Sequence, residues 1–181
     1  MLDYSLPAAF ARLDSLEVRL CLPANSAARF PLVRNYFAVV SRLGDGVAWY
    51  TLLAILPLVF GSSAILPCLH MVLTGLAGVA IYKYLKERLV RERPFHSHRG
   101  VRAVVVPLDR YSFPSGHTLH AASFAAMLAH YYPQLMWLVV PFAASVAVSR
   151  VVLGLHYPTD VLAGGLLGWL LAAGSLALFA I

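Results

Sequence analysis

Charge is what this sequence has least of. Only 12% of its 181 residues are Asp, Glu, Lys or Arg, while 60% are hydrophobic. A typical soluble domain is about 25% charged. One domain of this length has too little interior to bury so much apolar surface. That excludes a water-soluble globule and leaves a bilayer as the solvent. Cysteine is nearly missing too. Cys21 and Cys68 stand far apart, Cys68 within an apolar run, and both read as free, packed thiols. No basic start followed by an apolar core opens the chain, so no cleaved leader is expected. There is no convincing repeat or low-complexity segment. Acidic residues number 8 against 14 Lys and Arg, a formal charge of +6. A basic excess can serve nucleic acid, but with this hydropathy the expected partner is the phospholipid bilayer and an anionic lipid, not nucleic acid.

What is present is a set of long apolar runs. A spanning helix needs about 20 mainly apolar residues, and five runs qualify: Val47–Leu66, Pro67–Leu85, Ser115–Tyr132, Gln134–Val152, and Pro158 to the C-terminus. The glycines of the last (Gly164, Gly165, Gly168, Gly174) suit close helix packing in lipid. The expected fold is an all-α, polytopic membrane bundle. Residues 1–45 differ. Phe10, Leu13, Leu16, Val18 and Leu20 interleave with Arg12, Asp14, Glu17 and Arg19, too charged a pattern to span, which predicts a helix lying in the interface. A shorter amphipathic piece follows at Leu32–Leu43, and Ser41–Gly46 reads as a turn. The organisation is therefore an interfacial segment over 1–45 and a membrane-embedded unit over 46–181.

Alternating helix direction carries four segments to one membrane face. Lys86–Pro94 follows the second span, Ser115 opens the third, Ser149-Arg150 ends the fourth, and His156 and Asp160 flank the start of the fifth. The opposite face offers no Lys, Arg, Asp or Glu. The gathered residue types suit phosphoryl transfer. Lys86, Arg93 and Arg150 can meet non-bridging phosphate oxygens, arginine with a planar fork and lysine as a point charge. Ser115 and Gly116 stand at a helix start, where free N–H groups favour an anion and glycine lets it approach. His117 follows at once. Asp160 lies four residues after His156, so one helical turn would let its carboxylate accept from the imidazole and leave the other ring nitrogen free to attack. Taken singly, His156 reads as an interfacial structural residue and Asp160 as a helix-start charge. The combination argues for a site.

These residues form three motifs: Lys86, six residues, Arg93-Pro94; Pro114-Ser115-Gly116-His117; and Ser149-Arg150, five residues, His156, three residues, Asp160. The pattern resembles the type 2 phosphatidic acid phosphatase superfamily, membrane lipid phosphatases related to vanadium haloperoxidases. The resemblance implies that His156 attacks phosphorus to form a phosphohistidine, Asp160 orients it, and His117 protonates the leaving oxygen and then helps activate water. It implies that Lys86, Arg93, Ser115, Gly116 and Arg150 bind the phosphate and stabilise the transition state. It implies no metal and no cofactor, and the scarcity of carboxylates agrees, since a magnesium site would want several. Outside the motifs, His120 reads as a packed histidine, His96 and His98 as solvated, and His70 and His130 as interfacial. Asp45 could reach the site, although a turn cap is the simpler account.

The short chain and interfacial N-terminus look like small bacterial members of that family that act on undecaprenyl diphosphate. Phosphatidylglycerophosphate or phosphatidic acid is the alternative substrate, and a non-enzymatic lipid-binding or transport component the alternative class. A soluble vanadate oxidase is disfavoured by the apolar spans. The expected location is a bacterial inner membrane with the site facing the periplasm or exterior. The positive-inside rule opposes this, because the 14 Lys and Arg gather near the site face. Some of those cations, however, are already required by the site.

Overall fold

The structure, a computed structural model, describes residues 5–179. The first residues, on which a leader was judged, and the last two of the fifth expected span lie outside this range. Among the described residues the fold is all-helical: α1 (Ser5–Ala27), α2 (Pro31–Arg42), α3 (Ala48–Phe60), α4 (Ile65–Arg88), α5 (Pro94–Ser97), α6 (Gly116–Tyr131), α7 (Met136–Val152) and α8 (Pro158–Leu178). The five expected runs correspond to α3, α4, α6, α7 and α8.

Helix α6 is the axis of the bundle, packed by α4, α7 and α8. Its small and apolar side chains, among them Leu119, Ala121, Ala125, Met127 and Leu128, are buried. At 16 residues it rises only about 24 Å, short of a hydrocarbon core of about 30 Å. Three stretches among the described residues are long and apolar enough to cross a membrane: Pro31–Arg88, Pro133–Val152 and Pro158–Leu178. The expected third span is thus a short central helix that the others wrap. Helix α8 touches it backbone to backbone, because a Cβ at Gly168 would lie 2.9 Å from the Leu119 carbonyl carbon.

The turn foreseen at Ser41–Gly46 is present as a kink within Leu43–Val47 that separates α2 from α3, where Gly46 leaves helical geometry. Gly46 takes φ 130° there, a backbone state that costs other residues a steric clash. Asp45 stands within the kink. The expected division at 45/46 falls inside this turn. The chain then breaks at Gly61 (φ 71°), makes a 3₁₀ turn over Gly61–Ala64, and returns as α4 with Pro67 in its first turn.

Helix α1 packs against α5, α7 and α8, and its polarity is reversed relative to a soluble helix. Leu16 and Leu20 face outward, 60% and 61% exposed, while Glu17, Cys21 and Asn25 form the buried stripe at the spacing of one helix face. Asn25 anchors that stripe. Its Nδ2 donates to the carbonyls of Arg102 (2.9 Å) and Val152 (3.0 Å), and its Oδ1 accepts from the Arg102 N–H at 2.9 Å. Burial pushes the Cys21 thiol up to about 12, and neither cysteine is bridged.

Candidate active site

One end of the bundle collects the end of α4, the 89–93 segment, the start of α6, the end of α7 and the start of α8. Local chemistry explains each placement. Arg150 lies in the last turn of α7, and the chain folds straight back: the N–H groups of Leu155 and His156 donate to the Arg150 carbonyl at 3.0 and 3.1 Å. Gly154 makes that reversal possible at φ 76°, and a Cβ there would strike the Asn25 side chain and Val101. The five-residue gap between Arg150 and His156 is therefore a closed turn that sets the two side by side.

His156 and Asp160 also meet, though not through one helical turn. Tyr157 caps α8, Pro158 fills its first position, and Asp160 stands at the third, its Oδ2 accepting the Tyr157 N–H at 2.8 Å. This cap puts Oδ2 3.5 Å from His156 Nδ1, close but longer than a hydrogen bond. Nδ1 has no partner among the described residues. The other ring nitrogen, Nε2, lies 3.3 Å from Arg93 Nη1, which donates to the Leu155 carbonyl at 2.7 Å. Complete burial, then the charges of Arg93 and Arg150, hold the His156 pKa well below its ordinary value. The imidazole is neutral at pH 7 with its lone pair available.

The remaining expected residues surround it. Lys86, Arg93 and Arg150 are all buried. Arg150 donates to Ser41 Oγ at 2.5 Å, and its Nε is unpartnered among the described residues. Ser115 is the N-cap of α6, and its own N–H donates to the Asp160 carbonyl at 3.0 Å, tying the start of α6 to that of α8. Gly116 has a packing role as well, since a Cβ there would press on the Tyr82 ring at 3.3 Å. Lys86, Arg93, Arg150, His117 and His156 line one cavity of about 630 Å³, which continues into the bundle between Trp49, Leu53, Val72, Gly75 and Leu76.

Several contributors were missed in the sequence or given there a simpler role. Asp45 is bonded to His117 Nε2 and lines the cavity, so it is more than a turn cap. Its signal was a carboxylate between two glycines, a pattern that equally marks a turn. Asp109 bridges two cations, accepting from Lys86 Nζ at 2.6 Å and Arg93 Nη2 at 2.8 Å. Burial alone would raise its pKa, but Lys86 and Arg93 outweigh this and hold it below the usual carboxylate range. Arg91 is buried among Asp14, Glu17 and Asp160. His120 lines the cavity as well as packing edge-on against Tyr82. His70, read as interfacial, is buried: its ring nitrogens pair with Tyr131 Oη at 2.7 Å and Ser175 Oγ at 2.5 Å. His96 is exposed as expected, whereas His98 is half-buried.

The sequence profile of the PAP2 superfamily matches residues 63–180. The undecaprenyl-diphosphatase of Sulfolobus acidocaldarius is 30% identical over 130 residues, 71% of this chain and 62% of that protein, so the match spans under two thirds of the relative's length. Two solved structures share the architecture. Aquifex aeolicus LpxE superposes with a TM-score of 0.78 at 28% identity, covering 90% of this chain and 95% of its own. A transmembrane PAP2-type phosphatidylglycerolphosphate phosphatase from Bacillus subtilis gives 0.72 at 27% identity, covering 96% and 94%. A profile match over more than half of the chain, carrying all three motifs and joined to this shared architecture, makes the chain a member of the PAP2 superfamily.

Proposed function

We propose that this protein is a metal-independent membrane phosphatase acting on a lipid phosphate or diphosphate through a phosphohistidine at His156. The observation that carries the reading is the two-sided setting of that imidazole: Nδ1 toward Asp160, Nε2 toward Arg93 in a cation-lined cavity. Nε2 forms a bond to phosphorus as the bond from phosphorus to the lipid-side oxygen breaks. His117, paired with Asp45, gives that oxygen its proton. Water then attacks the phosphohistidine, His117 takes the water proton, and inorganic phosphate leaves with His156 restored. Lys86, Arg93, Arg150 and the Gly116 N–H hold the phosphoryl oxygens throughout, which is mainly electrostatic catalysis; Ser115, expected to bind phosphate, instead spends its N–H on the Asp160 carbonyl and caps α6, holding Gly116 at the cavity. Asp160 keeps Nδ1–H oriented.

The apolar continuation of the cavity suits the chain of a lipid. Undecaprenyl diphosphate is the substrate we favour, supported by the likeness to the Sulfolobus diphosphatase. Phosphatidylglycerophosphate is the second reading, supported by the shared fold with the Bacillus enzyme. The deciding experiment measures phosphate release by purified protein in detergent from undecaprenyl diphosphate, phosphatidylglycerophosphate and phosphatidic acid, beside His156→Ala. Release from the first at the highest kcat/KM, and none by the variant, supports the proposal; equal release by the variant refutes the mechanism. We further assign the protein to a bacterial inner membrane with the site facing outward. A cysteine introduced at Ser97 should then react with an impermeant label in intact spheroplasts; labelling only after lysis refutes that orientation.

A further inference from the structure

One ion cluster lies behind the site, centred on a residue that none of the motifs specifies. The Arg91 side chain is fully buried and makes five hydrogen bonds, as many as a guanidinium has N–H donors. Nη1 donates to Asp160 Oδ1 at 2.6 Å and to Thr159 Oγ1 at 2.8 Å. Nη2 donates to Glu17 at 2.5 Å and Asp14 at 2.7 Å, and Nε to Asp14 at 2.9 Å. The guanidinium carbon sits 4.1 Å over the Tyr157 ring. Glu17 also accepts from the Thr159 N–H at 2.6 Å and hydroxyl at 2.7 Å. Two carboxylates of α1 therefore reach, through one arginine, the carboxylate that faces His156.

The charge balance is what makes this more than a helix clamp. A buried arginine paired with Asp160 alone would neutralise it. Here three carboxylates share one guanidinium, so the cluster retains a negative excess beside Nδ1. Asp160 is also divided by atom: Oδ1 is taken by Arg91 and Oδ2 is left for the Tyr157 N–H and His156. When Nε2 bonds to phosphorus the ring becomes cationic, and a fixed negative charge 3.5 Å from Nδ1 stabilises that state. The outward leucines of α1 fit the same account, since its inward face is built for ion pairing.

We propose that Arg91 is a positioning residue for the His156–Asp160 pair and that α1, through Asp14 and Glu17, fixes its guanidinium on Asp160 Oδ1 and offsets its positive charge, making the N-terminal helix part of the reaction machinery. This rests on His156 being the nucleophile. The full-length protein in detergent would be compared as wild type, the double variant Asp14→Asn with Glu17→Gln, Arg91→Lys, and Leu20→Ala, which changes the outward face of α1 away from the cluster. For each, kcat and KM for the lipid phosphate and the inhibition constant of inorganic phosphate are measured. The double variant and Arg91→Lys should lose at least about tenfold in kcat with KM and phosphate inhibition unchanged, because the cations that hold phosphate are elsewhere; Leu20→Ala should keep wild-type kcat. If the double variant does not fold, Glu17→Gln alone is read the same way. The inference is overturned if kcat is unchanged, if phosphate affinity falls in step with kcat, or if Leu20→Ala reproduces the loss. A wild type inert on every lipid phosphate overturns the functional reading, and this inference with it; an active wild type with insensitive variants overturns this inference alone.

Discussion

Substituting Gly168 by alanine tests whether the site depends on the spacing of α6 and α8. The residue is two turns from Asp160 and touches nothing in the cavity. Its Cβ would lie 2.9 Å from the Leu119 carbonyl carbon and 3.1 Å from the Leu119 Cα. Unbonded carbons rest about 3.5–4.0 Å apart, so these two contacts alone require α8 to retreat from α6 by roughly 0.6–1.1 Å, and the Leu119 carbonyl oxygen, closer still, requires more. The obstacle is backbone on both sides, so no side-chain rotation relieves it. Such overpacking costs about 1–3 kcal/mol of stability. The retreat also acts on the 3.0 Å bond from the Ser115 N–H to the Asp160 carbonyl, which couples the anion-facing start of α6 to the helix that positions Asp160. A displacement of about 1 Å between reacting groups can cost 10²-fold in rate, or about 2.7 kcal/mol. Gly174→Ala is the control: it lies on the same helix, and its Cβ would meet nothing within 4 Å. The assay is kcat/KM for lipid phosphate in detergent, with a thermal melt of each variant. Gly168→Ala is expected to lose between tenfold and a hundredfold relative to Gly174→Ala. Agreement between the two within about twofold would refute the reasoning.

Asp109→Ala frees Lys86 and Arg93 from a carboxylate that occupies the same donors a phosphate would use. Inorganic phosphate and vanadate should then inhibit about tenfold more tightly, the roughly 1.5 kcal/mol of one charge-assisted hydrogen bond; weaker inhibition would mean that Asp109 organises the cations. The depressed pKa of His156 predicts a pH-dependent stability. The unfolded chain takes up a proton near pH 6.5 that the folded site refuses, so the unfolded state binds more protons as pH falls. This contribution is fully present above about 6.5 and is lost below it, by up to about 1.4 kcal/mol per pH unit, until the folded pKa is reached. Denaturation in detergent from about pH 5 to pH 7 should show this slope, and His156→Gln should flatten it; parallel curves would contradict the burial of a neutral imidazole.

The sequence by itself determined the solvent, the fold class and the gathering of the motif residues. Apolar runs of spanning length demand a bilayer. Helices that alternate in direction must then bring the ends of α4 and α7 and the starts of α6 and α8 to one face, whatever the side chains do. The motif spacings also carried local structure. The gap between Arg150 and His156 is a closed turn, and Asp160 follows Pro158 because both belong to the first turn of α8. What only the tertiary structure decided depends on partners distant along the chain. Periodicity in α1 shows that Glu17, Cys21 and Asn25 share a face, but not that this face turns inward, because it cannot show that Arg91 waits there. Arg91 itself was hidden in a basic stretch where every cation looked alike, and burial distinguished it. Asp45 lay between glycines that suggested a turn, and the chain does kink there; that the kink carries the carboxylate to His117 is decided by how α6 packs beside it. Asp109 sits in a segment without periodicity, and its pairing with Lys86 and Arg93 depends on where the packed helices leave those cations. Spacing along a chain fixes which residues share a helix face or an end; which charges then neutralise one another is settled only when the helices pack.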